Sequence, residues 1–249
     1  MEYKAVFKRH ELKYLMDEEQ AGVVREALEE HMVPDRYWRS TVRNVYYDTP
    51  DFLLARRSIE RPMYKEKLRL RSYGGVSDED DVFVELKKKF DSVVYKRRLT
   101  MRLLDAEGWL NGDAEGPGSQ IGEEIGFMKV RYPGIRPAMF LSYEREAHRS
   151  EGGGDLRITI DRDILARTED VRLSSGIGGR PVLPEGYTLM EVKTMYGYPV
   201  WLTSLLCSER LYKSSFTKYG NAYKEMVLGR VPEEFLCLRG SERPVQETA

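Results

Sequence analysis

A chain of 249 residues, 41% hydrophobic and 33% charged, has enough apolar material for a core and carries more charge than the about 25% of an average globular domain. Its 40 Lys and Arg offset 41 Asp and Glu, so net charge makes no case for nucleic acid or an anionic membrane as partner. The two cysteines, Cys207 and Cys237, sit in unrelated contexts and argue against a disulfide framework or a Cys-based zinc site. The opening MEYKAVFKRHELKY lacks the apolar run of a secretory signal, and no later stretch reaches the roughly 18 apolar residues of a membrane span. The expectation is a cytoplasmic protein without a membrane segment.

In chain order, a strand is predicted over 3–15. Asp17 then caps a helix, with Gln20 three residues on and Ala21, Val24 and Leu28 as its apolar stripe, ending near Met32 before Pro34. Period-two runs follow over 41–47, 65–73, 82–89, 94–101, 140–147, 156–161 and 188–194. Gly74-Gly75 with the acidic 78–81 stretch reads as a hairpin loop, and so does Gly152–Gly154. Helices are predicted over 106–110, 119–131, 199–211 and 217–228, with Pro199 suited to a first turn. No repeat or linker divides the chain, so one domain is expected over 1–249, with its core at about 3–228 and a peripheral tail over 229–249.

The informative feature is what alternates within the strands. Arg9, Glu11 and Lys13 share one pleat face. So do Lys67, Arg69 and Arg71; Glu85, Lys87 and Lys89; Lys96 and Arg98; Tyr143 and Arg145; Arg157, Thr159 and Asp161; and Glu191 and Lys193. The opposite faces carry Leu68 and Leu70, Val84 and Leu86, Ile158 and Ile160, and Met190 and Val192. One such strand is an ordinary sheet with a solvated face. Seven with mostly cationic faces, in a chain of slightly negative net charge, point to an anion-binding surface, because concentrated like charge repels itself until an anion arrives. If the sheet closes, that face becomes the wall of a cation-lined tunnel. Guanidinium forks and lysine point charges suit a repeating phosphate better than a single carboxylate.

Phe7–Tyr14 (Phe-x-Arg-x-Glu-x-Lys-Tyr), Tyr46–Thr49, Lys67–Arg71, Val82–Lys87, Tyr143–Arg145, Leu156–Asp161, Met190–Lys193 and Ser215–Tyr219, in this order, resemble the VTC domain. That is the polyphosphate polymerase domain of the vacuolar transporter chaperone type, among the triphosphate tunnel metalloenzymes, a CYTH-like superfamily. The resemblance implies an α+β fold: a closed antiparallel eight-stranded β-barrel with helices packed outside. It implies transfer of the ATP γ-phosphoryl group to a polyphosphate chain with Mn²⁺ or Mg²⁺. It places Lys13, Arg69, Arg71, Lys87, Lys96, Arg145, Arg157 and Lys218 on the phosphates, with Tyr143, Lys193 and Thr217 beside them, and Glu191 on the metal. The expected partners are ATP and polyphosphate or tripolyphosphate.

Such chemistry is positioning and charge neutralisation, so no nucleophilic Ser, Cys or His is required. His10, His31 and His148 lack ligand spacing. Glu11, Glu85 and Asp161 either hold metal or orient neighbouring cations by ion pairing. Arg9 stands where many tunnel phosphatases have a Glu, which removes one metal carboxylate. The alternatives on the same fold are a metal-dependent tripolyphosphatase and a non-catalytic polyphosphate sensor. RNA binding is the weakest alternative, because the aromatic residues are not interleaved as stacking platforms.

Overall fold

The computed structural model describes residues 10–60, 62–91 and 93–230. Strand β1 (His10–Met16) leads into helix α1 (Glu18–His31). Asp17 accepts the Gln20 backbone N–H while the Gln20 side chain accepts that of Asp17, so the capping box satisfies two otherwise orphaned donors. Next come β2 (Val33–Asp48), α2 (Leu53–Glu60), β3 (Tyr64–Tyr73), β4 (Asp81–Phe90) and β5 (Val93–Arg102). Gly74, at φ +90°, turns the chain from β3 towards β4 in a conformation costly for any residue with a Cβ. Helices α3 (Leu103–Asn111) and α4 (Gln120–Arg131) precede β6 (Arg136–Arg149), a 3₁₀ turn over Glu151–Gly153, β7 (Arg157–Arg167), the two-residue β8 (Arg180–Pro181) and β9 (Thr188–Thr194). Helices α5 (Val200–Ser208) and α6 (Lys218–Met226) follow.

All ladders between these strands are antiparallel, in the order β1-β9-β7-β6-β2-β3-β4-β5, with β8 added beside β7. The expected closed eight-stranded barrel does not form. The sheet has nine strands, and among the described residues its end strands β1 and β5 pair with β9 and β4 and not with each other. Period-two alternation fixes the face each side chain takes. Closure depends on strand number, tilt and stagger, which alternation does not encode. The sheet nevertheless curls strongly, because Glu11 of β1 and Lys87 of β4, near opposite ends of the order, bring their charges to 3.5 Å.

The convex face is apolar and covered by helices. Leu68, Leu70, Val84 and Leu86 pack with Leu103, Ala106, Trp109 and Leu110 of α3 and with Ile125 and Met128 of α4. Ile158, Ile160, Met190 and Val192 pack with Ala21, Val24 and Leu28 of α1 and with Leu202 and Leu206 of α5. Each fully buried aliphatic side chain contributes about 1.5–3 kcal/mol. One end of the concave face is apolar too: Leu15, Tyr46, Leu141 and Leu189 are covered by Phe216 and by Tyr219, Ala222 and Tyr223 of α6. The rest of the concave face is charged. No helix among the described residues is long and apolar enough to cross a membrane.

Candidate functional site: a cationic lumen

Two carboxylate-centred clusters organise the concave face. In the first, Glu85 of β4 is buried and collects cations from β3 and β5. Arg69 donates from Nε and Nη2 to Oε2 (2.9 and 2.7 Å). Lys96 Nζ lies 2.7 Å and Arg98 Nε 2.8 Å from Oε1, and Arg71 Nη1 stands 3.7 Å from Oε2. Burial alone would raise the Glu85 carboxyl, but Arg69, Arg71 and Lys96 hold it well below the usual carboxylate range. Lys96 goes the other way: its side chain is 43% exposed, yet desolvation of the ammonium where it meets the buried Glu85 outweighs the pull of that carboxylate and lowers it to about 8. Arg71 is fixed further by donating to Asn44 Oδ1 (2.9 Å) and to the Tyr143 hydroxyl (3.3 Å), and Arg69 donates to the Tyr46 hydroxyl (3.0 Å).

The second cluster is built from β6, β7, β9, β1 and α6. Arg145 grips Asp161 through both ends of its fork (2.6 and 2.7 Å), and Lys218 Nζ joins Asp161 at 2.5 Å and Glu191 Oε1 at 2.8 Å. Glu191 also faces Lys193 (3.2 Å), Lys13 (3.7 Å) and Arg145 (3.8 Å). Burial opposes ionisation of Glu191, yet Lys218, Lys193, Lys13 and Arg145 keep it far below the usual range. Burial likewise works against ionisation of Tyr143, but Arg145, Arg71 and Lys218 draw its hydroxyl below the ordinary phenol value. The Lys218 ammonium lies 4.8 Å from the centre of the Tyr143 ring.

Around the slot between β1 and β4, Lys13 and Lys87 each stand 3.5 Å from Glu11. The partial burial of Glu11 raises its carboxyl, but Lys87, Lys13 and Lys193 bring it down to about 2. Arg157 heads β7 beside Lys193, exposed at the rim, on the same face as Thr159 and Asp161. It joins neither cluster. Thr217, the residue before α6, accepts from Lys67 Nζ at 3.1 Å in place of capping its own helix.

Helix α6 reaches this position through a buried latch. Asp48, at the end of β2, accepts the backbone N–H groups of Leu54 (2.8 Å) and Ala55 (2.9 Å) at the start of α2 and the Tyr219 hydroxyl (2.6 Å). Tyr219 stacks on Tyr46 with ring centres 4.2 Å apart. Gly220 lets α6 lie against α2: a Cβ there would meet the Thr217 methyl at 2.8 Å and Ile59 at 3.1 Å. The latch fixes Lys218 in the lumen.

Among the described residues, the lumen thus gathers Lys13, Lys67, Arg69, Arg71, Lys87, Lys96, Arg98, Arg145, Lys193 and Lys218 around four carboxylates, Glu11, Glu85, Asp161 and Glu191. Lys67, Arg98 and Asn44 belong with the site residues singled out from sequence. Lys67 and Arg98 were visible in the alternation, whereas Asn44 carried no signal because its role is to hold Arg71. Arg9 and Cys237 lie outside the described residues. The histidines stand apart: His31 stacks on Trp201, with ring centres 4.7 Å apart, and burial lowers His148.

Comparison with known proteins agrees with this geometry. The family model described as the VTC domain matches residues 8–227. Subunit 4 of the vacuolar transporter chaperone complex of Trypanosoma brucei brucei is 24% identical over 252 residues, covering 82% of this chain and 32% of that protein. The chain therefore spans about a third of the length of that relative. Among solved structures, the crystal structure of a "putative adenylate cyclase" from Bacillus halodurans superposes with a TM-score of 0.53 at 15% identity, covering 85% of this chain and 94% of the other. At that identity the likeness speaks for the fold alone. With the family match spanning nearly all described residues, this chain belongs to the VTC domain family.

Proposed function

We propose that this chain binds a linear phosphate chain and the triphosphate of ATP in the lumen, and transfers the γ-phosphoryl group to the chain end. The observation that carries the reading is the charge imbalance: among the described residues, ten cations converge on one concave surface with four carboxylates, all already ion-paired. The lumen therefore has spare positive charge for an anion. In the reaction, the bond between the γ-phosphorus and the β–γ bridging oxygen breaks, ADP leaves with the electron pair, and a terminal oxygen of the chain forms the new bond. The protein holds donor and acceptor in line and neutralises charge on the oxygens of the group in flight. Arg69, Arg71 and Arg145 supply paired donors to those oxygens, and Lys13, Lys87, Lys96 and Lys218 supply point charges along the chain.

A divalent ion fits the donor set when phosphate provides most of its ligands. Glu191 and Glu11 are diagonal neighbours on one face of the β1–β9 ladder with Lys13 between them. One or two carboxylates with phosphate oxygens and water satisfy Mg²⁺ or Mn²⁺. Glu191 would hold it, and its contribution when bound is further neutralisation of phosphate charge. No group of three His, Cys, Asp or Glu among the described residues could hold a metal alone. That scarcity disfavours a hydrolase that positions its water by metal. It also leaves a second reading, a phosphate-chain sensor, favoured by the four cations that already surround Glu191.

Incubation with ATP and Mn²⁺ or Mg²⁺, with chains resolved on a gel and free phosphate measured in parallel, tests the proposal. The wild type is expected to make chains. Glu191→Gln is expected to lose at least about two orders of magnitude in synthesis while still binding tripolyphosphate. Release of free phosphate without chains supports hydrolysis; tripolyphosphate binding without either product supports the sensor.

A further inference from the structure

Lys67 differs from every other cation of the two clusters. Its Nζ donates to Thr217 Oγ1 at 3.1 Å and lies 6.0 Å from the centre of the Tyr219 ring, and among the described residues it has no carboxylate within ion-pair distance. The charged groups that act on it most strongly are of its own sign: Lys13 from β1, Lys87 from β4, and Lys65 and Arg69 on its strand; the carboxylate of Glu85, diagonal to it on β4, is taken by Arg69, Lys96 and Arg98. At the start of α6 it meets the neutral Thr217, the residue before the helix, and Tyr219. A partly buried ammonium with hydroxyl and aromatic neighbours and no counter-ion is a binding group waiting for an anion.

We propose that Lys67 is a further binding residue for the phosphate chain, forming with Thr217 a subsite in which the ligand supplies the missing anion. The inference rests on the phosphate-chain reading above and adds a property to it. Burial, followed by repulsion from Lys13 and Lys87, lowers the Lys67 ammonium well below the ordinary lysine range. A phosphate oxygen beside it reverses that balance. Binding at a pH between the values of the free and the bound state is therefore accompanied by proton uptake at Lys67, and its contribution to affinity, complete at low pH, is lost as pH rises through the value of the bound state.

The test is calorimetric titration of the whole chain with tripolyphosphate, in two buffers of different ionisation enthalpy, for the wild type, Lys67→Met and Lys67→Arg. Lys87 and Lys96 are also lowered by burial, but both are present in all three proteins and cancel in the comparison. Lys67→Met is expected to bind roughly tenfold or more weakly and to take up up to about one proton fewer. Lys67→Arg keeps its charge at every accessible pH. It is expected to bind at least as tightly as the wild type at alkaline pH, with the same reduced proton uptake as the Met variant. Should Lys67→Met fold poorly, the Arg variant alone decides through its proton uptake. Wild-type uptake in Lys67→Arg, or unchanged affinity and uptake in Lys67→Met, overturns the inference and leaves the phosphate-chain reading standing. Failure of the wild type to bind tripolyphosphate removes both.

Discussion

Replacing Glu85 with Gln separates a carboxylate that orients cations from one that holds metal. The side chain of Glu85 is 1% exposed, and its strongest partners are sequestered as well: Arg69 is 19% and Arg71 7% exposed. Lys96 and Arg98, at 43% and 38%, are screened by water, and each adds only about 0–1 kcal/mol. Breaking a buried pair by neutralising one partner costs about 3–5 kcal/mol. Because Gln retains an acceptor, the lower end, about 3 kcal/mol, is expected. For a domain of this size that lowers Tm by roughly 6–12 °C. Thermal unfolding at neutral pH and low salt, with and without tripolyphosphate, measures it. In the variant the freed guanidinium groups have only the ligand to neutralise them, so tripolyphosphate should raise its Tm by more than it raises that of the wild type. The pH sign agrees: the folded-state value is depressed, so the stabilisation is complete above the unfolded carboxylate value of about 4.3 and the two proteins converge as pH falls towards the folded value. Equal stability within about 0.5 kcal/mol, or normal stability with loss of the response to Mn²⁺, refutes the orienting role.

The exposed rim and the buried latch give two contrasting expectations. Arg157→Ala removes an exposed side chain outside both clusters; it should leave unfolding within about 0.5 kcal/mol of wild type and weaken tripolyphosphate binding at low salt, an effect that disappears towards 1 M salt, where the screening length is about 3 Å. Tyr219→Phe removes the hydroxyl bonded to Asp48 and leaves a buried acceptor with fewer donors, so urea unfolding should show a loss of about 1–3 kcal/mol, accompanied by weaker tripolyphosphate binding as Lys218 loses its fixed position.

Elements that announce themselves locally were legible in the sequence. Asp17 and Gln20 form the capping box their spacing implied, and Thr188–Thr194 is a strand over that span. Helix α2 was missed because its start is capped from a distance: the acceptor for Leu54 and Ala55 is Asp48, in the preceding strand. β2 runs through Pro34 to Val33, well before the alternation at 41–47 becomes readable, because its first half is exposed and carries no apolar period. Alternation assigned Arg69, Lys87, Arg145 and Glu191 to one face of their strands, as a period of two must. It could not say that Glu85 would serve several cations at once while Lys67 had none, since partner choice depends on sheet curl and register. The same limit explains the barrel: Glu11 and Lys87 meet across the slot as side chains, while their strands do not pair.

A near-neutral chain can carry so cationic a cavity because most of its acids lie elsewhere, as with the exposed Glu18, Glu19, Glu26, Glu29 and Glu30 of α1 and the acidic turn before β4. The few acids inside lower the cost of bringing the cations together and fix their geometry, so the donors are in place before any ligand arrives. The cations also fall into two groups. Glu85 organises one and Asp161 with Glu191 the other, and the Arg71 to Tyr143 hydrogen bond (3.3 Å) joins them. A single compact anion engages only the few cations within hydrogen-bond reach of it. An extended anion with a charge on every repeat can draw on both, with Lys67 beside Thr217 as an additional contact along its length. That division of charge supports a chain of phosphates, rather than one phosphate, as the ligand for which the lumen is built.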